Sequence, residues 1–209
     1  WPERAIELSG VEFLRAITLE PGQEVELHAV LTPESDGPSY QFELATLTPT
    51  DSEPQWTTHA RGRVQVTESK PGTGPRPEAL ESRTTQPVER AAPLQAMSAV
   101  QINWGPRWQW LQEGRVGNGA ALASLEPTYP GAHEEGPLHP TLLDNSFGVS
   151  LLGALLAVQG GTPQLPFAVE RLRWWQSPVG KVLCGSVERS RTHETSSADF
   201  TLVDEDGGV

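Results

Sequence analysis

Between Leu142 and Val158 the chain runs LLDNSFGVSLLGALLAV, with Asp144 as its one charged residue. A surface helix carries a polar face opposite its apolar stripe, and this run has none, so it predicts a helix buried inside a protein layer. It is too short and too interrupted by glycine to read as a membrane span. Pro140 suits the first helical turn, and Thr141 or Asp144 is a candidate to cap the free backbone N–H groups there. A helix this apolar needs a sheet or other helices around it, and the rest of the chain must supply them.

The first third supplies strands. VEFLRAITL, EVELHAVL, YQFELATL and QWTTHARGRVQV are separated by Pro21-Gly22 and by Ser35-Asp36-Gly37-Pro38. Period-two patterning with such punctuation predicts an antiparallel meander, and no helix of useful length is visible in it. Residues 67–95, TESKPGTGPRPEALESRTTQPVERAAPLQ, are rich in Pro, Gly, Ser, Thr and charge and read as a linker or mobile loop. Further strands are expected at AALASLE, FAVERLRWW, KVLCGSVE and ADFTLVD, on both sides of the apolar helix. The fold class expected is α+β, mainly antiparallel β. Its parts are 1–66 (strands only), 67–95 (loop) and 96–209 (strands around one central helix).

With 209 residues, 36% of them hydrophobic, the chain can bury a sizeable core. A net charge of -12 argues against a nucleic-acid backbone as partner, which would need clustered Lys and Arg. An acidic protein partner would need a local basic patch, for which Arg171 and Arg173 near Trp174 and Trp175, or Arg189 and Arg191, are the candidates. Cys184 is the only cysteine, so an intrachain disulfide and multi-cysteine metal sites are excluded. In the strand-like KVLCGSV it reads as a small buried hydrophobe. No signal peptide, membrane span or lipidation motif is visible, which suits a cytoplasmic protein or an excised domain. The Trp1-Pro2 start and the Gly207-Gly208-Val209 end read as those of a piece cut from something longer.

Four landmarks stand in order along the chain: Trp56-Thr57-Thr58-His59-Ala60-Arg61-Gly62, Trp104-Gly105-Pro106-Arg107-Trp108, His139-Pro140-Thr141-Leu142-Leu143-Asp144 and Leu165-Pro166-Phe167. Together they resemble the dehydratase domains of polyketide synthases. In that family His-Pro-x-x-x-Asp opens the central helix of the second hotdog unit, and Tyr-Gly-Pro-x-Phe lies upstream of it. The resemblance implies a double hotdog fold and syn elimination of water from a 3-hydroxyacyl thioester. Asp144 would be the acid that protonates the departing hydroxyl, with Trp104, Gly105, Pro106, His139, Pro140, Gly148 and Phe167 along the substrate tunnel. It also implies no cofactor, the substrate being carried on the phosphopantetheine of an acyl carrier protein. The implied partners are that carrier, the neighbouring synthase domains and a second copy in a homodimer.

The sequence departs from the family pattern in three places. The family's base is a His in His-x-x-x-Gly-x-x-x-x-Pro, and none of His28, His59, His133, His139 or His193 stands in that motif. Trp1 to Leu19 looks like the family segment that follows the first central helix, so the chain is expected to begin past its first catalytic half-site and, alone, to leave a hydroxyacyl thioester unchanged. Trp104 stands for the usual Tyr, and Gly148 for the Gln or His that would orient the acid. A non-catalytic remnant of the fold is therefore one alternative. A pyran-forming cyclase or a double-bond isomerase is another, the isomerase weakened because Asp144 is kept. An acid role also requires that burial, which raises a carboxyl pKa, outweigh the helix dipole, which lowers it. His139 sits close enough in sequence to Asp144 to be weighed as an internal base.

Overall fold

The computed structural model describes residues 4–35, 37–48, 53–68, 76–99, 101–132, 136, 138–157 and 165–204. Their contacts divide the chain into two units, the first formed within Trp1–Gly72 and Leu165–Trp175, the second within Thr73–Gln164 and Gln176–Val209.

Unit 1 is a sheet of five strands: β1 (Ala5–Phe13), β2 (Leu27–Pro33), β3 (Ser39–Thr48), β4 (Gln55–Thr67) and β8 (Ala168–Trp174), numbered in chain order. Their spatial order is β2-β3-β4-β1-β8, and every neighbouring pair is antiparallel. Because side chains alternate along a strand, register decides which residues share a face. Leu31 pairs with Phe42, Tyr40 with Val64, Val64 with Leu8 and Leu8 with Leu172, which gives one apolar face across all five strands. The other face is charged: Glu7, buried, binds Arg173 and accepts from Gln65 Nε2 at 3.0 Å. Gly10, at φ 55°, sits where the β1–β4 register slips, a backbone conformation that suits glycine in a bulge. No helix occurs among the described residues of this unit.

Unit 2 holds α1 (Pro77–Leu80), β5 (Gln86–Val88), α2 (Ala91–Ala99), β6 (Leu111–Gly117), β7 (Ala120–Leu125), α3 (Pro140–Ala157), β9 (Val182–Arg191) and β10 (Ser196–Asp204). Its sheet, in the order β10-β9-β7-β6-β5, is antiparallel throughout. The β6–β7 hairpin turns on Asn118-Gly119, with φ 48° and 66°, the left-handed pair that a two-residue type I′ turn requires. The helix α3 packs on β6, β7, β9 and β10. Leu142, Asn145, Ser146, Val149 and Leu152 recur at helical spacing and turn inward, where Trp110, Val116, Leu125, Val182 and Cys184 meet them. Each fully buried Leu of this cluster contributes about 1.5–3 kcal/mol from the area it removes from water. The Cys184 thiol is pushed up to about 12 by burial, despite its hydrogen bond with Ser146, so it behaves as the expected inert core residue.

An antiparallel sheet wrapped on one long apolar helix is the hotdog arrangement expected from the sequence. Two boundaries need correction. The stretch 67–95, read as a linker, contributes α1, β5 and the start of α2 to unit 2 within its described part. The cause is close packing: a Cβ at Gly185 of β9 would lie 3.0 Å from Leu80 and 3.1 Å from the Pro77 Cα, so α1 rests directly on the sheet. Conversely β8, placed by sequence in 96–209, belongs to unit 1, because its hydrogen-bonding partner is β1. No described helix is long and apolar enough to cross a membrane.

Candidate active site

The α3 helix begins on a histidine cap. The His139 carbonyl accepts the Leu143 N–H at 3.2 Å, and its ring Nδ1 accepts the Thr141 N–H at 3.0 Å, so His139 fills the role that Ser, Thr, Asp or Asn fills elsewhere. With a lone pair committed at Nδ1, the ring carries its proton on Nε2, which donates to Tyr129 Oη at 2.8 Å. Trp110 lies against the ring with centroids 4.7 Å apart, and Arg107 lies 4.3 Å over the face of Tyr129. One sequence expectation falls here: neither Thr141 nor Asp144 is the cap. His139, which in the family pattern accompanies the acid without replacing the base, has no free lone pair with which to act as one. Replacing His139 with Ala is expected to lower stability by about 1–3 kcal/mol through the lost cap and packing, while His139→Asn retains most of the cap. Paired thermal melts measure the difference.

Asp144 is the fifth residue of α3, beyond the first turn where the helix dipole is felt. Its side chain is half-buried, its Oδ2 has no hydrogen-bond partner among the described residues, and burial holds its pKa above the ordinary 3.8. Burial thus acts on Asp144 in the direction that an acid keeping its proton requires.

A loop leads into the neighbourhood of this helix. Pro106–Trp108 form a single 3-10 turn after Gly105, and three carbonyls on alternate residues are tied by side chains from different places. Gln109 Nε2 donates to the Trp104 carbonyl at 2.8 Å, Thr128 Oγ1 to that of Pro106 at 2.9 Å and Asn145 Nδ2 to that of Trp108 at 2.9 Å. Asn145 Nδ2 also donates to the Thr141 carbonyl at 2.9 Å, so one amide staples loop to helix. The indole of Trp104 lies over Gly148: a Cβ there would be 3.9 Å from Trp104 Cη2.

Of the residues expected around the acid, Trp104, His139 and Gly148 are therefore assembled on or beside α3. Pro140 is the exposed first residue of the helix, and Gly105 and Pro106 are exposed in the loop. Phe167 lies in unit 1, 61% exposed. Asn145, Tyr129 and Gln109 were not anticipated. A polar residue inside an otherwise apolar run was the one signal that could have flagged Asn145.

A central helix inside an antiparallel sheet, with an acid one turn in and a Gly-Pro loop beside it, defines a hotdog dehydratase type of domain. The family model of the polyketide synthase dehydratase N-terminal domain matches residues 72–209, and the chain belongs to that family. Among solved structures, the dehydratase domain from the CurJ module of the curacin polyketide synthase is similar in fold, with 22% identity, a TM-score of 0.84, and coverage of 98% of this chain and 71% of that one. A trans-AT polyketide synthase dehydratase domain from Brevibacillus brevis gives 22% identity and a TM-score of 0.85, covering 99% and 73% of the two chains. The dehydratase domain of RzxB from Pseudomonas fluorescens gives 18% and 0.82, with 99% and 72% covered. No protein of curated function matches the sequence.

Proposed function

We propose that Asp144 is the general acid of a dehydratase site that removes water from a 3-hydroxyacyl thioester presented on an acyl carrier protein, within a synthase of several domains and as a homodimer. The observation that carries this reading is a half-buried carboxyl, off the helix cap, with one oxygen unpartnered and its pKa raised. In the step proposed, a base takes the Cα proton and the Cα–Cβ double bond forms as the Cβ–O bond breaks. The hydroxyl leaves with the Asp144 proton as water, and exchange with solvent restores both groups. No cofactor takes part, and the acyl group stays on its phosphopantetheine arm.

The base is the open part of the site. His139 is held at both ring nitrogens, and His59 is likewise engaged inside unit 1, by Thr46 Oγ1 at 2.9 Å and the Arg15 carbonyl at 3.1 Å. His193 is exposed in the β9–β10 turn, and His133 lies outside the described residues. That engagement of His139 and His59 also favours a second reading, in which the fold is kept for its architecture and not for chemistry. The test incubates this chain, and any longer polypeptide that contains it, with a 3-hydroxyacyl pantetheine thioester and follows loss of one water by mass spectrometry. The chain alone is expected to leave the thioester intact, and a longer polypeptide that brings a base is expected to dehydrate it in an Asp144-dependent way. Cooperatively folded samples that never release water would leave the architectural reading.

A further inference from the structure

The contact between Trp104 and Gly148 lies on the side of α3 that carries the acid. Residues four apart on a helix lie one above the other, so position 148 stands one turn beyond Asp144 on the same face. The nearest heavy atom to a Cβ at 148, outside the helix itself, is Trp104 Cη2 at 3.9 Å, which is ordinary van der Waals contact. Alanine would fit there, and a longer side chain along the same direction would meet the indole. The backbone that carries the indole is held in place, because the carbonyls of Trp104, Pro106 and Trp108 are each tied down. Asn145, the neighbour of Asp144, supplies the tie that joins this loop to α3, and it uses its second N–H on the Thr141 carbonyl.

We propose that Trp104 and Gly148 are a size-matched pair that sets the room beside the Asp144 carboxyl, and that Asn145 is the positioning residue that holds the pair in register. The indole takes the space that a long side chain at 148 would fill, one helical turn beyond the acid. The consequence for substrate rests on the reading of Asp144 as the acid: slender 3-hydroxyacyl groups fit beside it and bulky, branched ones are turned away. The pairing itself does not depend on that reading.

A double-mutant cycle tests the pairing first. Gly148→Ala should raise the melting temperature by a few degrees through helix propensity, and Gly148→Leu should lie roughly 5 °C below the Ala variant through overpacking. Adding Trp104→Ala should remove most of the penalty of Gly148→Leu, whereas an additive cycle overturns the pair. The indole N–H signal of Trp104, assigned by its absence in Trp104→Phe, should move in Asn145→Ala while that of Trp110 stays in place. An unmoved Trp104 signal overturns the role of Asn145. Linear and branched 3-hydroxyacyl pantetheine thioesters are then titrated onto the parent chain and Trp104→Ala. A gain of about tenfold or more in relative affinity for the branched probe supports the size filter. An unchanged preference beside a non-additive cycle overturns the filter and leaves the pair standing.

Discussion

In a longer polypeptide that supplies a base and dehydrates the thioester with Asp144 as the proposed acid, Asp144→Asn is expected to abolish most of that activity, and in this chain to stabilise the fold at neutral pH. Loss of a positioned general acid lowers the rate by about 10²–10⁴-fold. The stability effect follows from the raised pKa of Asp144, which means that the folded state holds this proton more tightly than the unfolded state does. The acid form therefore contributes fully below the unfolded value near 3.8, and that contribution is lost as pH rises through the folded value. Asn resembles the protonated acid in shape and never ionises. Its melting temperature should exceed that of the parent at about pH 7, and the two should converge toward about pH 4. Paired melts across that range, run beside a water-release assay, check both halves. A variant less stable than the parent at pH 7 would show that the carboxylate makes a structural bond, contrary to the unpartnered Oδ2.

Trp110→Ala is expected to be the most damaging single change in unit 2. The residue is 2% exposed, belongs to the core cluster and lies tilted against His139. Truncating a buried Trp costs about 3–5 kcal/mol in lost transfer energy and cavity, and at roughly 2–4 °C per kcal/mol for a chain of this size the melting temperature should fall by about 10 °C. The loss also reaches the site, because the imidazole that caps α3 loses the surface it rests against. Trp110→Phe should cost much less: its ring keeps most of the apolar volume and removes an indole N–H that is buried with no partner among the described residues. Equilibrium denaturation of the two variants distinguishes a packing role from a hydrogen-bonding one, since only the latter makes Phe as harmful as Ala.

Some of this was legible in the sequence and some could not be. The run from Leu142 announced α3 because an apolar segment with no polar face has few other places to go. Asp144 stood out because a carboxylate inside such a run is rare. Three strands of the first third were visible through their alternation, whereas β1 (Ala5–Phe13) begins six residues before the run VEFLRAITL and shares only residues 11–13 with it. The cap was not, because His is an uncommon N-cap and the ring accepts the Thr141 N–H only once Tyr129 and Trp110 have fixed its orientation. Strand β6 was passed over because LQEGRVG is polar and glycine-bearing, although the Asn118-Gly119 turn after it was readable. The affiliation of β8 had no local signal at all. Its pattern says strand, and only the pairing of Leu8 with Leu172 says whose.

That pairing has a bearing on how the protein is made. The chain lays down β1 to β4, builds the second unit through α3, returns to add β8 beside β1, and leaves again for β9 and β10. On the ribosome one flank of β1 waits, hydrogen-bond donors and acceptors open, until more than a hundred further residues have emerged, and an open strand edge is an invitation to other chains. The same thread means that neither unit is a contiguous stretch of gene. A fragment cut to the family match at 72–209 would carry Ala168–Trp174 away from β1, its one neighbour among the described strands, so recombinant pieces chosen by sequence boundaries should precipitate where pieces that keep β1 with β8 stay in solution.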